Sequence, residues 1–419
     1  MPAPSTSAIP DIFSEEVIAD PYPAYAALRS MGVVRDERND LWVLTRHGHV
    51  LEALHNPTVF SSADGYGEFM SGRIGPTASG GDRAAALGFD AVLGSRVLIA
   101  SDPPDHTTLR RVVSRPFTKR TISRWEEMAR ALTEELVDDL VRKIDDEGVA
   151  DFTQDLAIPL PVTLIAEILG IPKERMRDFR RWSEALVGSL AAEVDLAVVG
   201  PDMAEMSQYF WQVVDERRID PGEDLISQIA MATPDGEELS TLEVVMFCIL
   251  LLVAGNETTT NLLGNIQHAF WAQPEQWQRL IDDPSLAAAA VEEGLRHGGP
   301  VQGLFRRTTA PYELGGVVIP EHANVYLGFA AANRDEDVFA DGDRFDIGRE
   351  VTEQLAFGHG IHYCLGAQLA RLEARIVLEA LASRGLLLKP AGDAVPTANS
   401  VLRGFSSIPV TMDNNVTKM

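Results

Sequence analysis

The chain has 419 residues, 45% hydrophobic and 23% charged, a globular composition that supports a large buried core and excludes a low-complexity polymer. Acidic side chains outnumber basic ones 62 to 36, for a formal net charge of −26. That field repels nucleic acid and anionic lipid and excludes both as default partners.

Two cysteines, Cys248 and Cys364, exclude a disulfide scaffold and fit a reducing cytoplasm. Met1 to Asp20 carries prolines and acids where a leader peptide needs an apolar core. The pattern then predicts a helix from Tyr22 to Ser30, a strand at Leu41–Leu44 and a second helix. Residues 61–100 are rich in Gly and Ser with weak periodicity, which predicts a long loop of the kind that carries function. From Pro104 to Leu295 helix follows helix, with breaks at Pro159, Pro161, Pro172, Pro221, Pro234, Pro274 and Pro284. The longest apolar run, Val244–Ala254, falls short of the roughly 20 residues that span a bilayer, so no membrane segment is expected. After Pro300, a Gly-Gly turn between apolar segments predicts small β-structure at Glu313–Tyr326, followed by irregular chain to about Gly358. A last helix runs from Gly366 to Ser383, stopped by Gly385, and Leu386–Lys389 and Ser407–Thr411 read as strands. The expected fold is mainly α with minor β. It forms a single domain, with a β-containing part at about 1–60 and 300–419 and a helical part at about 104–299, and the protein is expected to be a monomer.

Three stretches carry chemistry. In Phe357–Gly366 a cysteine sits in a glycine-punctuated loop directly before an amphipathic helix with Leu365, Leu369, Leu372 and Ile376 on spacings of three and four. A helix N-terminus favours thiolate over thiol, and Gly358 and Gly360 let the backbone turn tightly beneath the sulfur. By default a lone buried cysteine is a small hydrophobe. His359, His362 and Cys364 could suggest zinc, but their gaps are tight for three ligands of one tetrahedral ion. The second stretch, Ala254-Gly255-Asn256-Glu257-Thr258-Thr259, lies inside a helix from Ser240 to about Trp271 that opens on a Ser240/Glu243 capping box and closes before Pro274. Small residues there leave room for a ligand, and Glu257 and Thr258 offer a proton source and a hydroxyl. A kinked helix with a solvated glutamate is the bland alternative. In the third stretch, Glu293 and Arg296 share a helix face, which alone would be a commonplace surface pair.

Together and in this order, the stretches resemble the cytochrome P450 family, in its soluble bacterial type, over nearly the whole chain. The Phe-x-x-Gly-x-x-x-Cys-x-Gly signature is matched by Phe357, Gly360, Cys364 and Gly366. The oxygen-helix motif is matched by Ala254, Gly255, Glu257 and Thr258, and the Glu-x-x-Arg pair by Glu293 and Arg296, with Arg344 as the expected third member of their network. The likeness continues in Asp102-Pro103-Pro104-Asp105-His106 through Arg110 and in Ala332-Asn333-Arg334-Asp335. It implies a helical fold enclosing haem b, with Cys364 as axial ligand of the iron and His106, Arg110, Arg306 and His362 on the two propionates. Buried carboxylates do require charge-assisted donors. The register to Glu313-Leu314-Gly315-Gly316 favours Arg306 over Arg307.

The resemblance further implies a monooxygenase that inserts one atom of O2 into a lipophilic small molecule by hydroxylation, dealkylation or epoxidation. Thr258 would hydrogen-bond the bound oxygen and Glu257 would relay protons to it. The pocket would be lined from 61–100, from 186–206 and by Leu250, Val253, Gly303, Leu304 and Phe405. Small aromatic ethers and acids, terpenoids, fatty acids and macrolides are the candidate substrate classes. Electrons would pass from NAD(P)H through a ferredoxin or flavodoxin docked near Arg111, Arg115, Lys119 and His359. A peroxide-driven peroxygenase is the alternative within catalysis, and relatives of that kind lack the acid–threonine pair. A non-catalytic haem sensor or carrier would need an output module, and none is visible. Cys248 is expected to be inert.

Overall fold

The computed structural model describes residues 9–65, 96–114, 117–188 and 196–412. Tyr22–Met31 (α1) and His47–His55 (α2) flank the strands Val34–Asp36 (β1) and Leu41–Leu44 (β2). The helical part comprises Asp105–Ser114 (α3), Lys119–Glu147 (α4), Pro159–Leu169 (α5), Met176–Gly188 (α6), Leu196–Ile219 (α7), Leu225–Ala230 (α8), Thr241–Ala272 (α9), Pro274–Asp282 (α10) and Ala287–Gly298 (α11). Ala367–Ser383 (α12) returns to it from the far end of the chain. Prolines occupy the first turns of α5 and α10, where a missing N–H removes no helical bond. Of the expected loop at 61–100, residues 66–95 lie outside the described residues.

α9 organises the interior. Ser240 Oγ accepts from the Glu243 amide at 3.2 Å and the Glu243 carboxylate accepts from the Ser240 amide at 2.8 Å, the reciprocal cap that the sequence predicts. At 32 residues it runs about 48 Å. Among the described residues it alone is long and apolar enough to cross a membrane, with a mean hydropathy of 1.6. The helix as a whole passes this test of length and composition where the unbroken run Val244–Ala254 alone does not. α9 packs instead among α5, α6, α7, α11 and α12. Its first half, through Leu252, joins an apolar cluster with α5–α8, and its second half, from Leu262, joins another with α4, α10, α11 and α12. The stretch Ala254–Thr259 lies on the seam between these two cores.

The larger sheet has the order β1-β2-β8-β5-β3, with Phe60–Ser61 (β3), Leu304–Thr308 (β5) and Asn324–Leu327 (β8). The β2–β8 pair is parallel and the others antiparallel. Tyr312–Leu314 (β6) and Val317–Ile319 (β7) form a hairpin around Gly315 and Gly316, both at positive φ, as its Gly-Gly turn requires. Ala150–Asp151 (β4), Lys389–Pro390 (β9), Val395–Pro396 (β10), Phe405–Ser407 (β11) and Pro409–Thr411 (β12) make the small C-terminal sheets. β5 was not anticipated: Arg306-Arg307 breaks the alternation by which a half-buried strand is read. The mainly α, minor β expectation holds.

Candidate active site

Cys364 sits just ahead of α12. Its amide donates to the Phe357 carbonyl at 2.9 Å, closing a tight loop through Gly358 and Gly360 at φ +66° and +69°. At Gly360 an added Cβ would lie 2.6 Å from the Leu54 carbonyl of α2, so no side chain fits. Burial raises the Cys364 thiol above its ordinary pKa, while the Gly366 and Ala367 amides and the Arg110 and Arg371 charges pull it down. Such a balance suits a sulfur that gives up its proton to a metal ion. Cys248 is fully buried in α9, and burial pushes its thiol far up, so it stays a packed, protonated side chain.

Four basic groups converge beside this loop. α3 presents His106 and Arg110 one turn apart. The His106 and His362 ring centroids are 4.3 Å apart, and Arg110 Nη2 donates to the Tyr363 carbonyl at 2.7 Å. β5 delivers Arg306, which is buried. Burial and the charges of Arg306, His106 and Arg110 push His362 down to about 3. Burial likewise lowers His106 and takes Arg306 down to about 10. The His106 and His362 Nε2 atoms are buried without a hydrogen-bond partner among the described residues. The charge of Asp102 acts on Arg306, but its carboxylate already accepts from Ser61 Oγ at 2.5 Å and the Ser62 amide at 2.9 Å. Orphaned imidazole nitrogens beside two guanidinium groups fit a dianionic ligand next to Cys364, and haem b, with two propionates and a thiolate-seeking iron, has that chemistry. Among the described residues no group of three or more His, Cys, Asp or Glu side chains is placed to hold a bare metal ion.

α9 carries the acid and the hydroxyl. Leu250, Val253, Ala254, Glu257 and Thr258 fall at spacings of three and four on one face, where Ala254 is exposed and the others are half-buried, whereas Leu252, Asn256, Thr259 and Thr260 behind them are buried. Thr258 Oγ1 donates to the Ala254 carbonyl at 2.7 Å. Glu257 is held by Asn261 Nδ2 at 3.1 Å, and burial lifts its carboxyl above the ordinary range. On the far side Asn256 bonds the Ser183 hydroxyl of α6, and Thr260 donates to the Ala157 carbonyl at 3.0 Å. Asn261 was missed in the sequence, although its spacing of four from Glu257 was the available signal.

Glu293 and Arg296 are not a surface pair. Both side chains have 0% exposure, and Arg296 Nε and Nη2 each reach a Glu293 oxygen at 2.7 Å. The third guanidinium is Arg349, 3.4 Å from Glu293, and not Arg344. Arg344 contributes only its carbonyl, at 3.0 Å from Arg296 Nη2, while its side chain is 54% exposed toward Asp346. The chain turns back within this stretch, and its path, not the spacing, decides which arginine faces Glu293.

The expected pocket residues divide. Leu250 and Val253 lie on the open face of α9, and Leu304 is half-buried on β5. Gly303 is backbone only: a Cβ there would meet Tyr326 at 2.4 Å and the Leu327 carbonyl at 2.5 Å. Phe405 is core, stacked on His268 at 4.7 Å within the cluster of the second half of α9, and does not join Leu250 and Val253. Leu186 and Met206 are also core, and 189–195 lie outside the described residues. On the expected docking face Arg111 and His359 are exposed, with His359 Nδ1 2.7 Å from His55 Nε2. Arg115 and the Lys119 side chain lie outside the described residues.

Known proteins resemble this chain in sequence and fold. The family model described as Cytochrome P450 matches residues 204–409. Cytochrome P450 107B1 of Saccharopolyspora erythraea is 37% identical over 97% of this chain and 99% of its own length. The Vitamin D(3) 25-hydroxylase of Pseudonocardia autotrophica is 38% identical over 96% of each chain. The solved structure of cytochrome P450 CYP109Q5 from Chondromyces apiculatus superposes with a TM-score of 0.84 at 36% identity, covering 97% of this chain and 99% of that one.

Proposed function

The chain belongs to the cytochrome P450 family of haem b monooxygenases, and on that premise we propose that it hydroxylates a lipophilic small molecule with O2 and electrons from a ferredoxin-type donor, acting in the cytoplasm. The open face of α9 carries this reading. Its upstream half, Leu250, Val253 and Ala254, is apolar, and its downstream end is an acid beside a hydroxyl. A lipophilic substrate lying on the first half would present a C–H bond where the second half manages oxygen and protons.

Bound haem supplies the oxygen activation, for which a thiolate ligand pushes electron density toward O–O cleavage. The remaining work falls to this chain. Cys364 would hold the iron, and His106, Arg110, Arg306 and His362 would take the propionates. Glu257, its carboxyl raised by burial and steadied by Asn261, would relay protons. Thr258, whose hydroxyl rests on the Ala254 carbonyl, would supply a hydrogen-bonding hydroxyl for the O2 chemistry of the haem. That acid–hydroxyl pair favours O2 over peroxide as oxidant. The Vitamin D(3) 25-hydroxylase relative supports a large apolar substrate, as does the apolar half of α9. An acidic donor would dock at the exposed Arg111 and His359.

The test is spectroscopic. Reduced protein with CO should show the red-shifted Soret band of thiolate ligation. Cys364→His should keep haem yet lose both the band and O2-dependent turnover. A histidine-type carbonyl spectrum in the parent protein would refute the assignment of Cys364. Lipophilic compounds screened for the low-to-high spin change would then sort the substrate classes.

A further inference from the structure

We infer that Arg371 is a positioning residue for the Cys364 loop: paired with Glu292, it clamps Phe357 and Tyr363, the loop's two flanks, and so fixes where the sulfur sits. The inference rests on the haem-thiolate reading above. Arg371 lies on α12, two helical turns beyond Cys364. Its Nε and Nη2 meet the two oxygens of Glu292 on α11 at 2.5 and 3.1 Å, a fork-on-fork pair. Nη1 donates to the Tyr363 phenol oxygen at 3.1 Å, and the guanidinium carbon stands 4.5 Å over the Phe357 ring. The Phe357 and Tyr363 rings themselves meet edge-on at 6.3 Å. The loop is therefore closed twice, by the Cys364 amide on the Phe357 carbonyl and by one guanidinium touching both flanking side chains.

Glu292 extends the brace upstream. It accepts from Gln354 Nε2 at 3.3 Å, and Gln354 Oε1 takes the Ala356 amide at 2.7 Å, so the same carboxylate steadies the chain entering the loop. An arginine near the presumed donor face would by default be a docking cation. Here the guanidinium is 23% exposed and its carboxylate partner 29%, with all three nitrogens engaged. Stacking on one ring while forking a carboxylate needs a planar group, so lysine cannot replace it.

The test uses the haem-loaded full chain with Arg371→Gln, Arg371→Lys, Glu292→Gln and Tyr363→Phe. The readout is the rate at which the reduced, CO-bound protein loses its thiolate Soret band in mild urea. Loss of a bracing network worth a modest part of the stability should speed that loss roughly 5–30-fold in Arg371→Gln and Glu292→Gln. Arg371→Lys should rescue only partly, and Tyr363→Phe should show a smaller change. The double variant Arg371→Gln/Glu292→Gln should be no faster than Arg371→Gln alone, because the pair acts as a unit. If Arg371→Gln fails to load haem, Glu292→Gln and Tyr363→Phe carry the test. Variants that keep the parent's band and rate but need more electron donor would make Arg371 a docking cation and overturn the clamp alone. A parent without the thiolate band would overturn the haem-thiolate reading and the clamp with it.

Discussion

Arg296 has five N–H groups, and each meets an acceptor: two Glu293 oxygens at 2.7 Å, the Gly342 carbonyl at 2.7 Å, and the Asn333 and Arg344 carbonyls at 3.0 Å. Arg296→Lys keeps the charge and most of the stem but offers three donors, so at least two acceptors lose their partner in a site with 0% exposure. A stranded buried polar group costs about 1–3 kcal/mol, so the expected loss is about 2–6 kcal/mol. Arg296→Ala strands the buried Glu293 charge as well, about 3–5 kcal/mol on that account alone. Arg349 at 3.4 Å offsets part of that cost. Against a total stability of about 5–15 kcal/mol, the lysine variant should fold marginally and the alanine variant should yield little haem-loaded protein. Urea unfolding followed by far-ultraviolet circular dichroism, alongside haem content, measures both. A lysine variant within about 0.5 kcal/mol of the parent, the range of ordinary surface substitutions, would refute the donor count as the source of stability.

Thr258→Ala should still bind haem and substrate and still consume NAD(P)H, with more oxygen leaving as H2O2 and less entering product; unchanged coupling would move the donor role to Thr259 or a water. Glu257→Gln should slow turnover overall, because an amide cannot take up and release protons as the carboxyl can; a rate equal to the parent's would refute the relay. Glu373 on α12 is buried, its Oε2 has no hydrogen-bond partner among the described residues, and burial lifts its carboxyl from 4.5 to about 8. Between those values the folded chain keeps a proton that the unfolded chain has lost. Stability relative to Glu373→Gln is therefore fully present below pH 4.5 and falls by about 1.4 kcal/mol per pH unit up to about 8. Urea midpoints for both proteins at pH 5 and pH 8 check this, and a difference that does not change with pH would refute it.

What the sequence made legible was local. The capping box dates the start of α9 to within a residue, and Gly358, Gly360 and the helix that follows mark the cysteine loop, because both depend on neighbours a few positions away. What stayed hidden depends on chain path. Arg349 replaces Arg344 because the segment after Asn333 doubles back over α11. Phe405 reads as a pocket aromatic near the end of the chain, yet its ring stacks on His268 and packs toward Gly264, on the core side of α9. β5 escapes notice because its paired arginines serve two environments at once, one facing the basic cluster and the other the opposite face of the sheet.

The burial of α9 also sets an order of events at the ribosome. Its early partners α5, α6 and α7 are synthesised before it, but α11 and α12 come later, and the last of α12 emerges about 110 residues after Ala272. At roughly 5–20 residues per second, a helix greasy enough to enter a bilayer waits about 5–20 s half-covered. During that interval its second half, Leu262–Phe270, lies bare of the α11 and α12 residues that later close over it. For a nascent chain this is a window for capture by chaperones, membranes or a second copy of itself, and it closes only when the helix behind Cys364 docks.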